Sequence, residues 1–574
     1  MKKLLLLLAI VFAATTASAE KYIGEVNSIW YVFDSDLMQA GVTQHYHRGY
    51  EEKLIGDGGK GYKGNLVIPS TVNGFEVIGI LPHAFDRATE ELLSVTIPNT
   101  VRYIGEYAFQ SCKFESFTIP ASIDSLANYA LWCIKVKKLT FEDSDDEIFV
   151  GKCQINMFSG SEEVEELYLG RNVRSLGGMF ANNAVKRVTI GNRVTKISQS
   201  CFNNCQSLQT LTLGKGITSI EQDAFRNCTA LKSVTLPQSL TYIGWSAFDG
   251  CSGLTSIIFP SNLKTIDGWA FSRTNLTELT VPPSVETIGE YAFSLTSLKK
   301  VTLKDGPRPL TVGRNASGGS IFSGSIQSIE EAYIGRKLVA DEKCSSAFFN
   351  NNQTLKKVTF GPYITEVGDY YFQRCEQLQD IKLHANISLI GKYAFTNCNA
   401  LSQISFPASL KKIDNYAFYN SKGLESLTFN MSLEEIGEGG FYGCNELKTV
   451  VLPPYLKTIG NNGFYGDSKI TAIYSKAPTP PTCGNSTVFN YLNTKECKLY
   501  VPEQSVEAYK AADVWKNFYI LGSNSIPTGI RTIGDNTEAA EQRYTIDGQQ
   551  LGSAKKGLNI VRRPDGTTIK VIVR

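Results

Sequence analysis

The apolar positions of this chain come in short bursts that restart at a fixed interval. A phenylalanine, usually preceded by alanine, recurs at Phe202, Phe225, Phe248, Phe271 and Phe293, and again at Phe372, Phe395, Phe418, Phe441 and Phe464. The steps are 23, 23, 23 and 22 residues in the first run and 23 throughout the second. Weaker copies centred on Phe85, Phe109, Leu131, Phe158, Phe180, Phe322 and Phe349 bring the number of units to seventeen. In one clear copy the apolar residues are Leu231, Val234, Leu236, Leu240, Ile243, Ala247, Phe248 and Cys251. Val234 and Leu236 are two apart and share one side of a short strand, leaving Ser233 and Thr235 on the other. Pro237 has no N–H and ends that strand. Leu240 and Ile243 return facing inward, and Gly244 permits a turn. Trp245 to Phe248 are expected to form a single helical or 3-10 turn that drops Phe248 into the core.

One such unit cannot bury its apolar face alone, whereas stacked units can, with strands about 4.8 Å apart. A fixed period of this length predicts a solenoid, in place of the three or four compact domains that 574 residues would otherwise suggest. The expected fold is a repeat solenoid, mainly β with short helical or 3-10 turns, capped at both ends and followed by a small C-terminal β unit. The unit, L-x-x-L-x-L-P…I-G-x-x-A-F-x-x-C, resembles the BspA-like (Treponema pallidum-type) leucine-rich repeat over about residues 65–475. The resemblance implies a bacterial surface or secreted protein. It also implies a binding role: some members are adhesins that attach to extracellular-matrix or host plasma proteins. It brings no catalytic residues.

The array is interrupted by two long steps, 131 to 158 and 293 to 322, which carry a common cassette. Ile148-Phe149-Val150-Gly151, Met157-Phe158-Ser159-Gly160 and Leu167-Tyr168-Leu169-Gly170-Arg171-Asn172 return as Leu310-Thr311-Val312-Gly313, Ile321-Phe322-Ser323-Gly324 and Ala332-Tyr333-Ile334-Gly335-Arg336-Lys337. The offset is about seven units, so a block duplication overlies the single-repeat duplication. The added residues either form binding loops on one face or absorb curvature.

The two ends read differently from the array. Residues 1–19 form an export signal: Lys2 and Lys3, an apolar run from Leu4 to Ala14, then Ala17-Ser18-Ala19 as a cleavage site. The apolar run is too short to span a bilayer, and the mature chain is expected to lack a transmembrane segment. Residues 20–64, with Ile29-Trp30-Tyr31-Val32-Phe33, suit a β cap, and 65–475 the solenoid. Residues 476–521 read as a C-terminal cap with Tyr509 and Trp515 turned inward, and 522–543 as a linker. Residues 544–574 form a small β unit whose spacing and Lys-rich ending resemble a type IX secretion sorting tail. That resemblance implies display at, or release from, the bacterial outer membrane.

Composition narrows the chemistry. With 57 Lys+Arg against 55 Asp+Glu the net charge is +2, which argues against a nucleic-acid-coating protein. Four scattered His make a His-built metal or acid/base centre unexpected. His45 and His47 have no third ligand near them. Gly56-Asp57-Gly58-Gly59-Lys60-Gly61 matches G-x-G-x-x-G but does not open a helix, so it reads as a turn. The acidic run Glu142 to Glu147 lacks the frame of a calcium loop and reads as solvated. No catalytic residue, cofactor or metal is expected, and the chain reads as a non-enzyme. Thirteen Cys leave at least one unpaired; Cys112, Cys205, Cys228, Cys251, Cys375, Cys398 and Cys444 follow the repeat position by three and read as a buried ladder. Cys483 and Cys497 lie outside it and are candidates for a disulfide.

The outward face of the strands is where a ligand is expected. Its central position is Thr in ten of the seventeen units, which a plain solvated ladder explains. Tyr168, Tyr333 and Tyr474 replace it, the first two with Glu166 and Glu331 two residues earlier. Tyr offers contact area at low entropic cost, so these residues are candidate ligand contacts. The expected function is a secreted or surface-displayed, adhesin-like binding protein whose partner is a host or envelope protein. The alternative is a structural spacer of the envelope or a carbohydrate-binding accessory protein.

Overall fold

The computed structural model describes residues 21–26, 29–35, 37–43, 62–86, 88, 92–151, 164–175, 178–314, 321–322, 328–340 and 348–523, and strands at 542–544, 550–551, 557–562 and 568–573. The export signal, the His45/His47 pair, the glycine run at 56–61, Phe158 and most of the 522–543 linker lie outside the described residues. The chain divides into two units, 1–523 and 524–574.

The first unit is a β-solenoid of about 18 turns. Each turn contributes a longer strand to one parallel sheet and a short strand, often two residues, to another. Lys113–Ile119, Lys135–Phe141, Glu166–Leu169, Arg187–Ile190 and Thr210–Thr212 stand in order in one such sheet. Lys196–Ile197, Ser219–Ile220, Tyr242–Ile243, Thr265–Ile266, Thr287–Gly289, Leu310–Arg314 and Leu338–Ala340 form part of the other side. The longer-strand side is not continuous: Val234 and Leu236 remain buried, yet their segment joins no ladder. At the start, Lys21–Val26, Ile29–Asp34 and Gln39–Thr43 form an antiparallel meander, and the last of these pairs in parallel with Phe75–Ile80. That arrangement covers the open end of the core.

The third side of each turn carries the repeat phenylalanine. Its rings stack on one another at 5.1–5.7 Å from Phe180 to Phe293 and from Phe349 to Phe489. Backbone hydrogen bonds tie the turns here as well: Asp223, Phe225 and Asn227 N–H donate to Trp245, Ala247 and Asp249 carbonyls at 2.7–2.8 Å. The helical or 3-10 turn expected at Trp245 to Phe248 is absent. Residues two before and two after the repeat position take left-handed backbone angles, as at Ser246 and Gly250, Trp269 and Arg273, and Tyr393 and Asn397. Two positive φ values four residues apart break any helical run. Among the described residues, helix occurs only near the C-terminus, at Glu503–Ser505, Val506–Ala511 and Trp515–Asn517. Gly244 serves close approach: a Cβ there would lie 2.8 Å from the Glu221 carbonyl carbon of the previous turn.

The turns continue past 475, the expected end of the array. Ala472–Ser475 pairs with Lys498–Pro502, which pairs with Tyr519–Ser523, and Thr482–Cys483 pairs with Thr458–Ile459. The short helices then close the end. Tyr509 and Trp515 are fully buried; the Tyr509 hydroxyl donates to Ala477 O and the Trp515 indole to Pro481 O, at 3.0 and 2.8 Å. Cys483 and Cys497 do not form the expected disulfide. Both are free thiols, because one sits on the short-strand side and the other leads into a strand of the opposite sheet.

The cysteine ladder has a hydrogen-bonding role. The thiols of Cys112, Cys205, Cys228, Cys251, Cys375, Cys398 and Cys444 donate to the carbonyls of Phe85, Phe180, Phe202, Phe225, Phe349, Phe372 and Phe418, one turn back, at 3.0–3.3 Å. Ser421 Oγ does the same to Phe395 O at 2.5 Å. At eight turns the position thus holds a small side chain that donates to the previous turn, while Thr274 and Thr296 donate to the Phe271 and Phe293 carbonyls of their own turns. Asp467 occupies it next, fully buried, and neither carboxylate oxygen has a partner among the described residues. Burial pushes its carboxyl well above the ordinary range; the nearby Cys444 N–H, already bonded to Phe441 O, opposes this only in part.

The second unit is a four-stranded antiparallel sheet in which Gly557–Arg562 pairs with both Gln542–Tyr544 and Thr568–Val573. Gln550–Leu551 adds to the free edge of Gln542–Tyr544.

Asp467 yields a prediction with a definite sign. A carboxyl that keeps its proton in the native state and loses it on unfolding lowers stability as pH rises above the ordinary carboxylate range, up to its folded value. Asp467→Ser should therefore stabilise the protein at pH 7 by about 1–3 kcal/mol, the cost of a buried unpartnered polar group. The gain should shrink as pH falls toward 3. Urea denaturation of both proteins across that range checks this, and a gain independent of pH would contradict it.

Candidate functional site: the duplicated tyrosine cassette

Tyr168 lies on Glu166–Leu169, in register with Thr140 on one side and Thr189 on the other. Tyr333 lies on Glu331–Ile334 between Thr302 and Thr359. Both tyrosines are half-buried, whereas Leu167 and Leu169, and Ala332 and Ile334, fill the core. The alternation along each strand thus turns the phenol outward.

Neither glutamate expected beside these phenols is the partner of a phenol hydroxyl. Glu166 forms an ion pair with Arg187 of the next turn at 2.6 Å. Glu331 stands in register between Lys300 and Lys357. The hydroxyl partners are aspartates of the preceding turn: Tyr168 donates to Asp143 Oδ1 at 2.9 Å, and Tyr333 to Asp305 Oδ1 at 2.8 Å. A glycine on the following turn leaves the room. A methyl at Gly191 would lie 2.9 Å from the Tyr168 hydroxyl, and one at Gly361 would lie 2.7 Å from that of Tyr333. The same three-turn arrangement of Asp, Tyr and Gly is therefore built twice.

Three residues beyond each phenol, past the end of its strand, is a buried arginine. Arg171 Nη1 donates to Ala121 O and Ile123 O at 2.9 Å, and its Nε to Asp146 O at 3.0 Å. Arg336 donates to Pro282, Pro283 and Val285 carbonyls at 2.6–3.1 Å. Burial lowers both guanidinium groups, Arg336 to about 10. Each clamps the corners of earlier turns; Arg171 reaches Asp146, on the loop that carries Asp143.

The acidic run from Glu142 to Glu147 is used internally. Glu142 accepts from Ala121 N–H, Asp143 from Tyr168, and Asp145 pairs with Arg193 at 2.5 Å. Among the described residues no group of three or more His, Cys, Asp or Glu side chains is placed to hold a metal. No helix of the described residues is long and apolar enough to cross a membrane. Tyr474 differs from the other two candidates: it stacks on Tyr500 of the next turn, centroids 4.7 Å apart and planes at 6°.

Asp143, Asp305, Gly191, Gly361 and the clamping role of the arginines are the residues that sequence reasoning missed. The recurring Tyr-x-Gly-Arg string was the available signal. The aspartates lie 25 and 28 residues before their tyrosines, so unequal loops hide their equivalence.

Four overlapping matches to the BspA type leucine rich repeat region cover residues 78–209, 195–312, 342–471 and 411–537. The chain belongs to this family. No curated protein matches it. Among solved structures, a leucine-rich repeat protein from Bacteroides ovatus is 24% identical, with 76% of this chain and 96% of that one covered and a TM-score of 0.39. A leucine rich cell surface protein from Faecalibacterium prausnitzii is 20% identical, with 76% and 95% covered and a TM-score of 0.27. The pneumococcal vaccine antigen PcpA is 17% identical, with 88% and 99% covered and a TM-score of 0.26.

A phenol that is partly desolvated and bonded to a carboxylate holds its proton. Both effects raise Tyr168, and they push Tyr333 to about 12, with burial the larger cause. Each cassette thus presents a neutral phenol edge beside a carboxylate, a surface suited to contact and to hydrogen-bond donors. Asp305→Asn should lower the Tyr333 titration toward the ordinary value of 10 but only part of the way, because burial remains. The ¹³Cζ NMR shift of Tyr333, followed from pH 8 to 12.5 in both proteins, measures this; an unmoved midpoint would refute the pairing.

Proposed function

We propose that this member of the BspA-type repeat family is an exported, surface-displayed, non-catalytic binding protein whose strand face contacts a host or envelope protein. The observation that carries the reading is the repetition of one built arrangement, Asp143–Tyr168–Gly191 and Asp305–Tyr333–Gly361, where most other turns present a lone Thr. The two copies are about seven turns apart. At ~4.8 Å per turn that is on the order of 35 Å, a span suited to an extended macromolecular partner. The start Lys2 to Ala19 supports export, and the family supports a binding scaffold over an enzyme.

A pull-down of host and envelope proteins with the mature chain identifies the partner. Tyr168→Ser together with Tyr333→Ser should then weaken its binding by about 1–4 kcal/mol, the range for truncated interface aromatics, with little change in melting. Phe248→Ala is the contrasting control. Its ring sits 5.3 Å from Phe225 and Phe271 at zero exposure, so emptying it should cost about 3–5 kcal/mol of stability. Unchanged affinity in the double tyrosine variant would move the contact off the strand face.

Display rests on the C-terminal unit in this reading. Removing residues 544–574 should leave the solenoid folded and the protein inside the envelope. Surface labelling of intact cells reads the outcome, and undiminished labelling would remove the sorting role.

A further inference from the structure

A second surface lies on the phenylalanine side of the solenoid, away from the strand face. The residue two after the repeat phenylalanine adopts a left-handed backbone in turn after turn and is asparagine at six of them, Asn182, Asn204, Asn227, Asn351, Asn397 and Asn420, with Ser111, Cys133, Gly250, Arg273, Leu295 and Arg374 at others. Near the C-terminal end two successive turns carry glycine there, Gly443 and Gly466, with φ of 73° and 85°. The column of side chains is thereby interrupted. A Cβ at Gly466 would meet nothing closer than 3.7 Å, whereas one at Gly443 would lie 2.6 Å from Asn420 Oδ1, so Gly443 makes room for the Asn420 amide and the opening itself lies at Gly466.

The gap is a shallow groove of about 480 Å³ that lies open to solvent. The adjacent column, one residue after the phenylalanine, becomes aromatic over the same turns. Tyr419 and Tyr442 pack at 4.9 Å, and Tyr442 and Tyr465 stack at 4.5 Å. Tyr491 closes the row by crossing Tyr465 at 71°, and it is 72% exposed. Asn420, Asn445 and Ser468 complete the lining. With its amide nitrogen turned inward, Asn445 donates to the Gly443 and Gly466 carbonyls at 3.1 and 3.2 Å, which leaves its carbonyl oxygen outward.

No residue of the lining carries a formal charge at neutral pH. The neighbouring Lys469 and Glu446 neutralise one another at 2.6 Å. Exposed aromatic surface beside amides, a hydroxyl and bare backbone, without charge, matches a ligand that offers C–H faces and many hydroxyl groups. An anion would find no cation there. A peptide would find neither a row of apolar pockets nor a free strand edge, since the backbone N–H groups of Tyr442 and Gly443 already donate to Gly439 and Tyr465 carbonyls.

We infer that the groove between Tyr442, Tyr465 and Tyr491, opened at Gly466, is a binding site for uncharged carbohydrate. It is separate from the strand-face site and stands or falls independently of it.

The test titrates the mature protein by calorimetry with neutral hexasaccharides of β-glucan, α-glucan, xylan and α-mannan, and with a sulfated hexasaccharide. At least one neutral probe should bind and the sulfated one should not. Gly466→Asn restores the residue that other turns carry at this left-handed position, so it should fold normally while filling the groove. Tyr491→Ala removes the exposed ring. Each should weaken the bound probe by about tenfold or more. Tyr168→Ser with Tyr333→Ser should leave it unchanged. No binding of any neutral probe at millimolar concentration, binding indifferent to both groove variants, or a preference for the sulfated probe would overturn the assignment.

Discussion

The carbonyl of the repeat phenylalanine sets the terms for the solenoid. It sits beneath a stacked ring, out of reach of water, and a buried acceptor without a donor is costly. In most turns it accepts the N–H three residues on in its own turn, and at eight turns a thiol or hydroxyl placed three residues beyond the next turn's phenylalanine bonds it as well, whereas Thr274 and Thr296 bond the carbonyls of their own turns. The donor can reach back only if the two turns are in register and the phenylalanine is fully seated. Ring stacking, short parallel strands and side-chain hydrogen bonds therefore enforce the same spacing. The 23-residue period is the result of that agreement.

Both proposed surfaces are local departures from these columns. In the cassettes, a tyrosine replaces threonine in the outward column, and an aspartate before it and a glycine after it adapt the neighbouring turns. In the groove, two successive glycines interrupt the left-handed column of side chains where tyrosines fill the column beside it. The core changes in neither case: Leu167, Leu169, Phe441 and Phe464 stay buried. A one-dimensional scaffold can thus carry several sites, each written on an outward column without disturbing the inward ones.

The inward columns were legible in the sequence because burial selects narrowly; the phenylalanine marks every clear unit, with alanine before it and cysteine three after it in most. The geometry of the third side was not. Its left-handed positions are filled by Trp269, Arg273, Tyr370, Arg374 and Leu295 as well as by Asn and Gly, and such side chains give no local sign of a positive φ. A helical turn was the natural reading of Gly-x-x-Ala-Phe, and hydrogen bonds to the next turn override it. The tyrosines of the cassettes were legible as exceptions to a threonine column. Their partners were not, because Glu166 and Glu331 are near in sequence while Asp143 and Asp305 are near in space.

The buried arginines change how this array holds together. In an ordinary solenoid each turn touches only its immediate neighbours, and an end can peel away one turn at a time. Arg171 stands two turns beyond Ala121 and Ile123 and one beyond Asp146, and binds all three. Arg336 repeats the span to Pro282 and Val285. Each therefore works as a rivet through three layers: unzipping that arrives from either side must break contacts in the next turn and the one after it together. Each cassette therefore sits where three successive turns are tied together by one side chain.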